Sequence, residues 1–278
     1  MNEFDFTGER LTTTKRSEIM IHHLHRYAIS LELARNKKVL DIASGEGYGS
    51  NLLAQVALEV VGVDIDEKVV QFANRKYSKK NLQYKLGSTS SIPSEDHVFD
   101  LIVSFETIEH HDEHEQMMLE FKRVLKPGGK VIISSPDKKN YTDIPKYTNP
   151  FHVKELYIEE FKSLVSKHFS YSKHFNQNLY YNSIIVADDG HSTAFAEFNG
   201  DFEKIDSAKT LSVPMYNICI ASDNTLENMN FIDTSIFNAQ AVLDAIINKE
   251  VEIYASKTYR IGKFFTFPLR IIRSLKNK

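Results

Sequence analysis

Five short apolar runs space out the first half of the chain: Val39, Leu40 and Ile42; Val60 to Val63; Leu82 to Leu86; Phe99 to Phe105; and Val131 to Ile133. Each spans three to seven residues, all but the first are followed directly by Gly, Ser, Asp or Glu, and between them apolar residues recur at steps of three and four. Short apolar runs alternating with helical periods predict βαβ units and a parallel sheet with helices on both faces. A first helix is predicted over about 17–34, with Met20, Leu24, Tyr27, Leu31 and Ala34 on its buried face and His22, His25 and Ile29 beside them. The helix after the fourth strand turns Met117, Phe121, Val124 and Leu125 inward and Glu113, Glu120 and Lys122 outward, and Lys126-Pro127-Gly128-Gly129 ends it. From 137 to 150 the period vanishes in a loop with Tyr141, Asp143, Tyr147 and Asn149, and His152 is expected to open a helix packing through Leu156, Tyr157, Leu164 and Val165. Strands at about 179–187 and 213–221 bring the sheet to seven, with an acidic excursion and an Asp188-Asp189-Gly190 turn between them. A last helix is expected at about 235–248. The chain divides into an N-terminal helical cover (1–36), a core (37–224) and a C-terminal helical extension (225–278).

The stretch Val39 to Gly49, VLDIASGEGYG, is a strand, a loop with Gly45, Gly47 and Gly49, and the start of a helix. Glycines let a ligand lie against the backbone, and the helix N-terminus aims amide donors into the same crevice. An NAD site has this shape, but its fingerprint asks for glycine or alanine where Ser50 stands. Asp41 also weighs against NAD, since a carboxylate at the loop mouth repels a pyrophosphate and attracts an ammonium group. Asp64 ends the second strand about twenty residues past the loop, the spacing of a carboxylate that accepts ribose hydroxyls; helix capping is its alternative role, which Asp66 fills equally well. Glu106, Glu109, His110 and His111 follow the fourth strand, and ligands of open α/β sheets bind beyond the carboxyl ends of the strands.

With 278 residues and 42% hydrophobic content the chain can bury a full core. Its net charge of −3 provides no field for nucleic acid, so no nucleic-acid partner is expected. A single cysteine, Cys219, excludes an internal disulfide and fits a reducing compartment. The N-terminus lacks the pattern of a signal peptide, and a cytoplasmic protein is expected. Residues 257–278 carry seven basic and no acidic side chains among Phe264, Phe265, Phe267, Leu269, Ile271, Ile272 and Leu275. Such a tail packs on its own protein or a second subunit, or else meets an anionic membrane surface; packing is the expectation, and it leaves a homodimer open.

At these residues the chain resembles the class I S-adenosylmethionine-dependent methyltransferases, of the Rossmann-like seven-stranded fold. Ala43 stands where the family's first loop glycine usually is, and the resemblance runs on through Val-Gly-Val-Asp (61–64), Phe-Asp-Leu-Ile-Val (99–103), Glu-Thr-Ile-Glu-His (106–110) and Leu-Lys-Pro-Gly-Gly-Lys-Val (125–131). It implies S-adenosyl-L-methionine as cofactor, contacted by Asp41, Ala43, Gly45, Gly47, Asp64, Ile65, Ser88, Thr89 and Glu106. Ser88 and Thr89 stand in an adenine-contacting segment that commonly reads Gly-Asp-Ala. His110 or His111 is implied as general base, His110 by alignment. Gly8-Glu9-Arg10, the stretch from His23 to Tyr27 and the basic tail resemble enzymes of bacterial polysaccharide gene clusters. That resemblance implies a small-molecule or saccharide acceptor in capsule or lipopolysaccharide synthesis, a phosphoramidate substituent included. Two alternatives stay open. A divalent metal could be gathered by His22, His25, His110, His111 and His152 with Glu9 or Asp112, or the fold could be a cofactor-binding scaffold without chemistry.

Overall fold

The computed structural model describes residues 12–13, 18–179, 183–189, 195–200, 205–226, 233–237, 252–259 and 261. The chain runs α1 (Glu18–Ala34), β1 (Lys38–Ile42), α2 (Tyr48–Leu53), β2 (Glu59–Asp64), α3 (Glu67–Lys76), β3 (Leu82–Leu86), β4 (Phe99–Ser104), α4 (His114–Val124), β5 (Leu125–Pro136), α5 (Ile158–His168), β6 (Tyr171–Leu179), β7 (Ser183–Ala187), β8 (Glu197–Gly200), β9 (Ile205–Ala208), β10 (Tyr216–Ser222) and β11 (Thr234–Phe237). The main sheet has nine strands in the order β11-β7-β6-β10-β5-β4-β1-β2-β3, and β8 and β9 form a separate hairpin. Strands β5, β4, β1, β2 and β3 pair in parallel, and β10 lies antiparallel between β5 and β6.

The apolar runs behave as strands buried on both faces. Val39, Leu101, Val103 and Ile132 face the side covered by α1 and α2, where Tyr27, Ala34 and Leu53 meet them. Leu40, Ile42, Ile102, Val131 and Ile133 face the other side, packed by Met117, Phe121 and Phe161. Neighbours in sequence thus belong to opposite cores, as the two-residue pleat demands, and burial on both faces needs continuous rather than alternating apolarity. Chain order reverses between β1 and β4, so the loops leaving their carboxyl ends diverge and open a crevice at the switch point.

The departures from the sequence expectation lie at the far edge and in α1. The range expected as one strand, 179–187, holds all of β7 and only the last residue of β6, so β6 is an additional strand, antiparallel to β7, and β11 pairs beyond β7. Residues 234–237 are therefore strand where the expected helix begins; the remainder of that helix, Gly8 to Arg10 and nearly all of the basic tail lie outside the described residues. The segment after β5 holds one π-helical turn, Lys139–Asp143. Helix α5 starts at Ile158, six residues beyond His152, and Tyr157 faces solvent as its N-terminal flank while Phe161 and Val165 point inward. The buried residues of α1 are Ile21, His22, His25, Arg26, Tyr27, Ser30 and Ala34; Tyr27 and Ala34 were expected, whereas the expected Met20, Leu24 and Leu31 are only half-buried. Cys219 is buried in β10 as a free thiol. Among the described residues no helix is long and apolar enough to cross a membrane.

Candidate active site

The loop after β1 owes its shape to left-handed backbone. Ala43, Gly45 and Gly47 have φ of 59°, 53° and 94°, a region in which side-chain-bearing residues are disfavoured. Ala43 therefore adopts without glycine the conformation that glycine makes easy. Gly47 is bound by space as well, because a Cβ there would lie 2.7 Å from the Tyr84 hydroxyl, which donates a 2.7 Å hydrogen bond to the Gly47 carbonyl. The loop is tied to the end of β2: Ser44 N–H donates to the Val63 carbonyl at 2.9 Å, and Gly45 N–H to Asp64 Oδ2 at 2.8 Å.

Asp64 Oδ1 also accepts from the Asp66 amide at 3.0 Å. Asp66, not Asp64, caps α3, its side chain accepting from the Lys68 and Val69 amides. The capping alternative for Asp64 is thereby removed, and its carboxylate is held at the carboxyl end of β2 on the wall of a cavity of about 440 Å³. That volume is in the range of small-molecule sites, roughly 300–1,000 Å³. Ala43, Gly45, Asp64, Ile65, Ser88, Thr89, Glu106, His110 and His111 all line it, as do His23 and Tyr27 from α1. Ile65 is 72% exposed at the rim, an apolar face next to the Asp64 carboxylate.

Two expected contact residues are not wall residues. Gly47 acts through backbone shape. Asp41, expected at the loop mouth, is buried behind it, accepting from Ser50 Oγ at 2.6 Å and from the Tyr27 hydroxyl at 3.2 Å. Burial pushes its carboxyl up to about 7, with the Asp64 charge adding to the rise and those two donors opposing it. Tyr27 is the residue sequence reasoning placed on α1 without a partner. Its ring meets Phe105 edge-on and its hydroxyl reaches Asp41, so α1 roofs the cavity.

His110 and His111 are neighbours in sequence that face different parts of the site. His111 Nε2 lies 3.3 Å from Thr89 Oγ1, on the β3 side, and burial lowers its pKa. His110 turns toward the segment before α5: its Nδ1–H donates to the Phe151 carbonyl at 3.0 Å, so Nε2 is the basic nitrogen. Around it stand residues from four segments. Glu109 is 1% exposed, with its carboxyl group held well above the usual carboxylate range by burial and by the Glu106 charge. The His152 ring meets that of His110 at 5.1 Å, and Tyr141 stacks on His152 at 5.4 Å and 21°. Glu106, at φ 50°, accepts from Ser134 Oγ at 2.7 Å and pairs with Arg26 Nη1 at 3.2 Å. Arg26 is wholly buried, its Nε donating to Gln177 Oε1 at 2.8 Å and its guanidinium lying 4.4 Å from the Tyr216 ring centre.

Among the described residues the expected five-histidine metal set is not assembled. His22 packs edge-on against Tyr216 of β10, and His25 Nε2 is 3.0 Å from Ser235 Oγ of the edge strand β11, so both are engaged elsewhere. Of that set His110 and His152 do come together, with Glu109 as the carboxylate.

Residues 40–133 match the family model described as a methyltransferase domain. Over that stretch the chain is similar to the class I S-adenosylmethionine-dependent methyltransferases. Over 155 residues it is 34% identical to a probable S-adenosylmethionine-dependent methyltransferase of Mycolicibacterium smegmatis, covering 54% of this chain and 56% of that protein. Over 138 residues it is 31% identical to a demethylmenaquinone methyltransferase of Chlorobaculum parvum, 49% of this chain and 53% of the relative. The chain spans about half the length of the curated relatives it matches. A Thermotoga maritima structure described as a methyltransferase, possible histamine N-methyltransferase, superposes with a TM-score of 0.52 at 18% identity. The match covers 74% of this chain and 90% of that one, a likeness of fold. The nine-stranded sheet contains the seven-stranded methyltransferase sheet, and β7 and β11 extend it.

Proposed function

We propose that this chain transfers the methyl group of S-adenosylmethionine to a hydroxyl of a small or saccharide-linked acceptor in surface polysaccharide synthesis, a phosphoramidate-bearing unit included, with His110 taking the proton. The observation that carries the reading is that Asp64 and the left-handed glycine loop share one cavity with His110. In this reading Asp64 accepts the ribose hydroxyls, Ile65 covers one adenine face, and Ser88 and Thr89 meet its edge. The acceptor oxygen attacks the methyl carbon in line, the C–S bond breaks with its electron pair going to sulfur, and the hydroxyl proton passes to His110 Nε2. The polar surroundings of His110, with Glu109, His152 and Tyr141, favour a hydroxylated acceptor over an apolar one. The polysaccharide assignment is supported by the sequence resemblance of the N-terminal motifs.

S-Adenosylhomocysteine, and not NAD, should raise the melting temperature. Tritiated methyl should pass to one member of a panel of nucleotide-activated sugars and capsule fragments. His110→Ala should cut turnover about 10²–10⁴-fold with S-adenosylhomocysteine affinity retained. Loss of cofactor binding in that variant would make His110 a wall residue, and activity lost only in His111→Ala would move the base by one position. Cofactor binding without turnover on any acceptor would leave a scaffold.

A further inference from the structure

Glu109, His110 and His152 place a carboxylate oxygen and two imidazole nitrogens within 4.8 Å of one another. They come from two segments, the short 3₁₀ turn after β4 (Ile108–His110) and the stretch before α5, which is bound to that turn where the Val153 and Lys154 amides donate to the Glu109 carbonyl at 2.8 and 3.0 Å. We propose that these three side chains bind a divalent transition-metal ion, Mn²⁺, Fe²⁺, Co²⁺ or Zn²⁺, at the acceptor end of the cavity.

The first argument is orientation. His110 donates Nδ1–H to the Phe151 carbonyl, and His152 Nδ1 lies 2.5 Å from Glu155 Oε1. A metal-binding histidine characteristically gives its other ring N–H to a carbonyl or carboxylate, which fixes the tautomer and makes the ligating nitrogen more basic. Both rings have that support, and in both it leaves Nε2 as the nitrogen with the lone pair. Tyr141, stacked on His152, further restricts that ring.

The second argument is charge. Glu109 is almost wholly buried, and its Oε2 has no hydrogen bond. Glu106 and Glu155 both act on it as like charges and Arg26 as the opposing one, and the Glu155 side chain is itself only 7% exposed. Three carboxylates facing one guanidinium leave the cluster short of positive charge. A cation between these side chains would offset that imbalance.

Two imidazoles and one carboxylate select a borderline transition metal over Mg²⁺ or Ca²⁺, which favour all-oxygen sets. Metal–ligand bonds of about 2.0–2.2 Å require the donors to close in by about 1–2 Å. Asn149 must also yield, because its Nδ2 donates to His152 Nε2 at 2.9 Å. The ion would lower the pKa of an acceptor hydroxyl bound to it; with the ion bound, His110 Nε2 would be a ligand and not the base, and the hydroxyl proton would leave to water. This role rests on the methyl-transfer reading, whereas the existence of the site does not.

The test is calorimetry on the full chain without a histidine tag, stripped with EDTA and titrated with Mn²⁺ and, separately, Zn²⁺, in parallel with S-adenosylhomocysteine. One ion per chain is expected, undisturbed by millimolar Mg²⁺. Affinity should fall at least tenfold in Glu109→Gln and in His152→Ala and persist in His111→Ala. Bound Mn²⁺ should also show imidazole nitrogen couplings in its electron paramagnetic resonance spectrum. Failure of the wild type to bind one ion, or unchanged binding in both Glu109→Gln and His152→Ala, overturns the proposal even if S-adenosylhomocysteine binds. An ion that binds while S-adenosylhomocysteine does not sustains the metal site and removes the cofactor reading instead. Retained S-adenosylhomocysteine binding and an unchanged metal-free melting temperature show that each variant is folded.

Discussion

Asp64 carries two kinds of contact, and that decides what its removal should do. Its oxygens accept from the Gly45 and Asp66 amides, so it fixes the glycine loop as well as facing the ribose position. Charge-assisted bonds to a carboxylate contribute about 1.5–3 kcal/mol each. Asp64→Ala should therefore weaken S-adenosylhomocysteine binding about 10- to 150-fold for one lost ribose contact, with Asp64→Asn milder because the loop keeps an acceptor. Unchanged affinity of the alanine variant by calorimetry would sink the assignment. Asp64 was legible in the sequence because its task is local: a carboxylate at a strand end, at fixed distance from a glycine loop. Gly45 and Ser88 were legible for the same reason. Glu109 was named only as one of four polar groups at a strand end, since nothing in Glu-Thr-Ile-Glu-His says which carboxylate turns inward. The pairing of His110 with His152 spans a forty-residue separation, and the hint available was the Asn149, His152, Glu155 spacing, which places three polar side chains on one side of a turn.

At the scale of elements, α1 shows what periodicity can and cannot tell. That a helix runs to Ala34 followed from apolar steps of three and four. Which face is buried did not, because the apolar stripe and the His22, His25, Arg26, Ser30 stripe lie side by side on the same cylinder. The polar stripe wins because its partners arrive from the loop after β4, from β6 and from β10: Glu106, Gln177 and Tyr216. None of these is within 70 residues of it in sequence. Removing Arg26 leaves Glu106, 15% exposed on the cavity wall, without its cation, and breaking a buried pair from one side costs up to about 3–5 kcal/mol. Arg26→Ala should lower the free energy of unfolding in urea by about that much. Arg26→Lys should recover little, since an ammonium cannot reach Gln177 and Glu106 together while lying flat on Tyr216. Full recovery in the lysine variant would show that charge alone matters there. The sheet edge was hidden differently: the range that reads as one strand runs from the last residue of β6 through β7, and Thr-Ser-Ile-Phe of β11 runs on into a helical pattern.

Over the whole molecule, buried ionisable groups set how stability varies with pH, and they pull in two directions. Burial, then the Arg26 guanidinium, lowers His22 to about 3 and His25 to about 4 from an ordinary 6.5, and the same causes hold His23 well down. Between about pH 4 and 6.5 these three are neutral in the folded chain and take up protons on unfolding. Asp41, raised to about 7 from 3.8, and Glu109, raised well above its ordinary range, do the reverse, holding protons in the folded chain that unfolding releases. Three protons gained against two lost leave a net uptake of one. Burial of His111, His114 and His174 lowers their pKa values and adds to the gain, while burial raises Asp137 and subtracts from it. One proton corresponds to about 1.4 kcal/mol per pH unit. Unfolding free energy, measured in urea with EDTA present, should accordingly climb with a slope of about that size from about pH 4.5 to 6, and level off near 7 as the histidine contribution is complete and Asp41 ionises. Replacing His22 and His25 together with glutamine removes two of the protons taken up, so the slope should fall by about 2.7 kcal/mol per pH unit. A wild-type profile that is flat or descending across that window would mean that these histidines are not held neutral by the fold. A double variant as steep as wild type would assign the dependence to other groups.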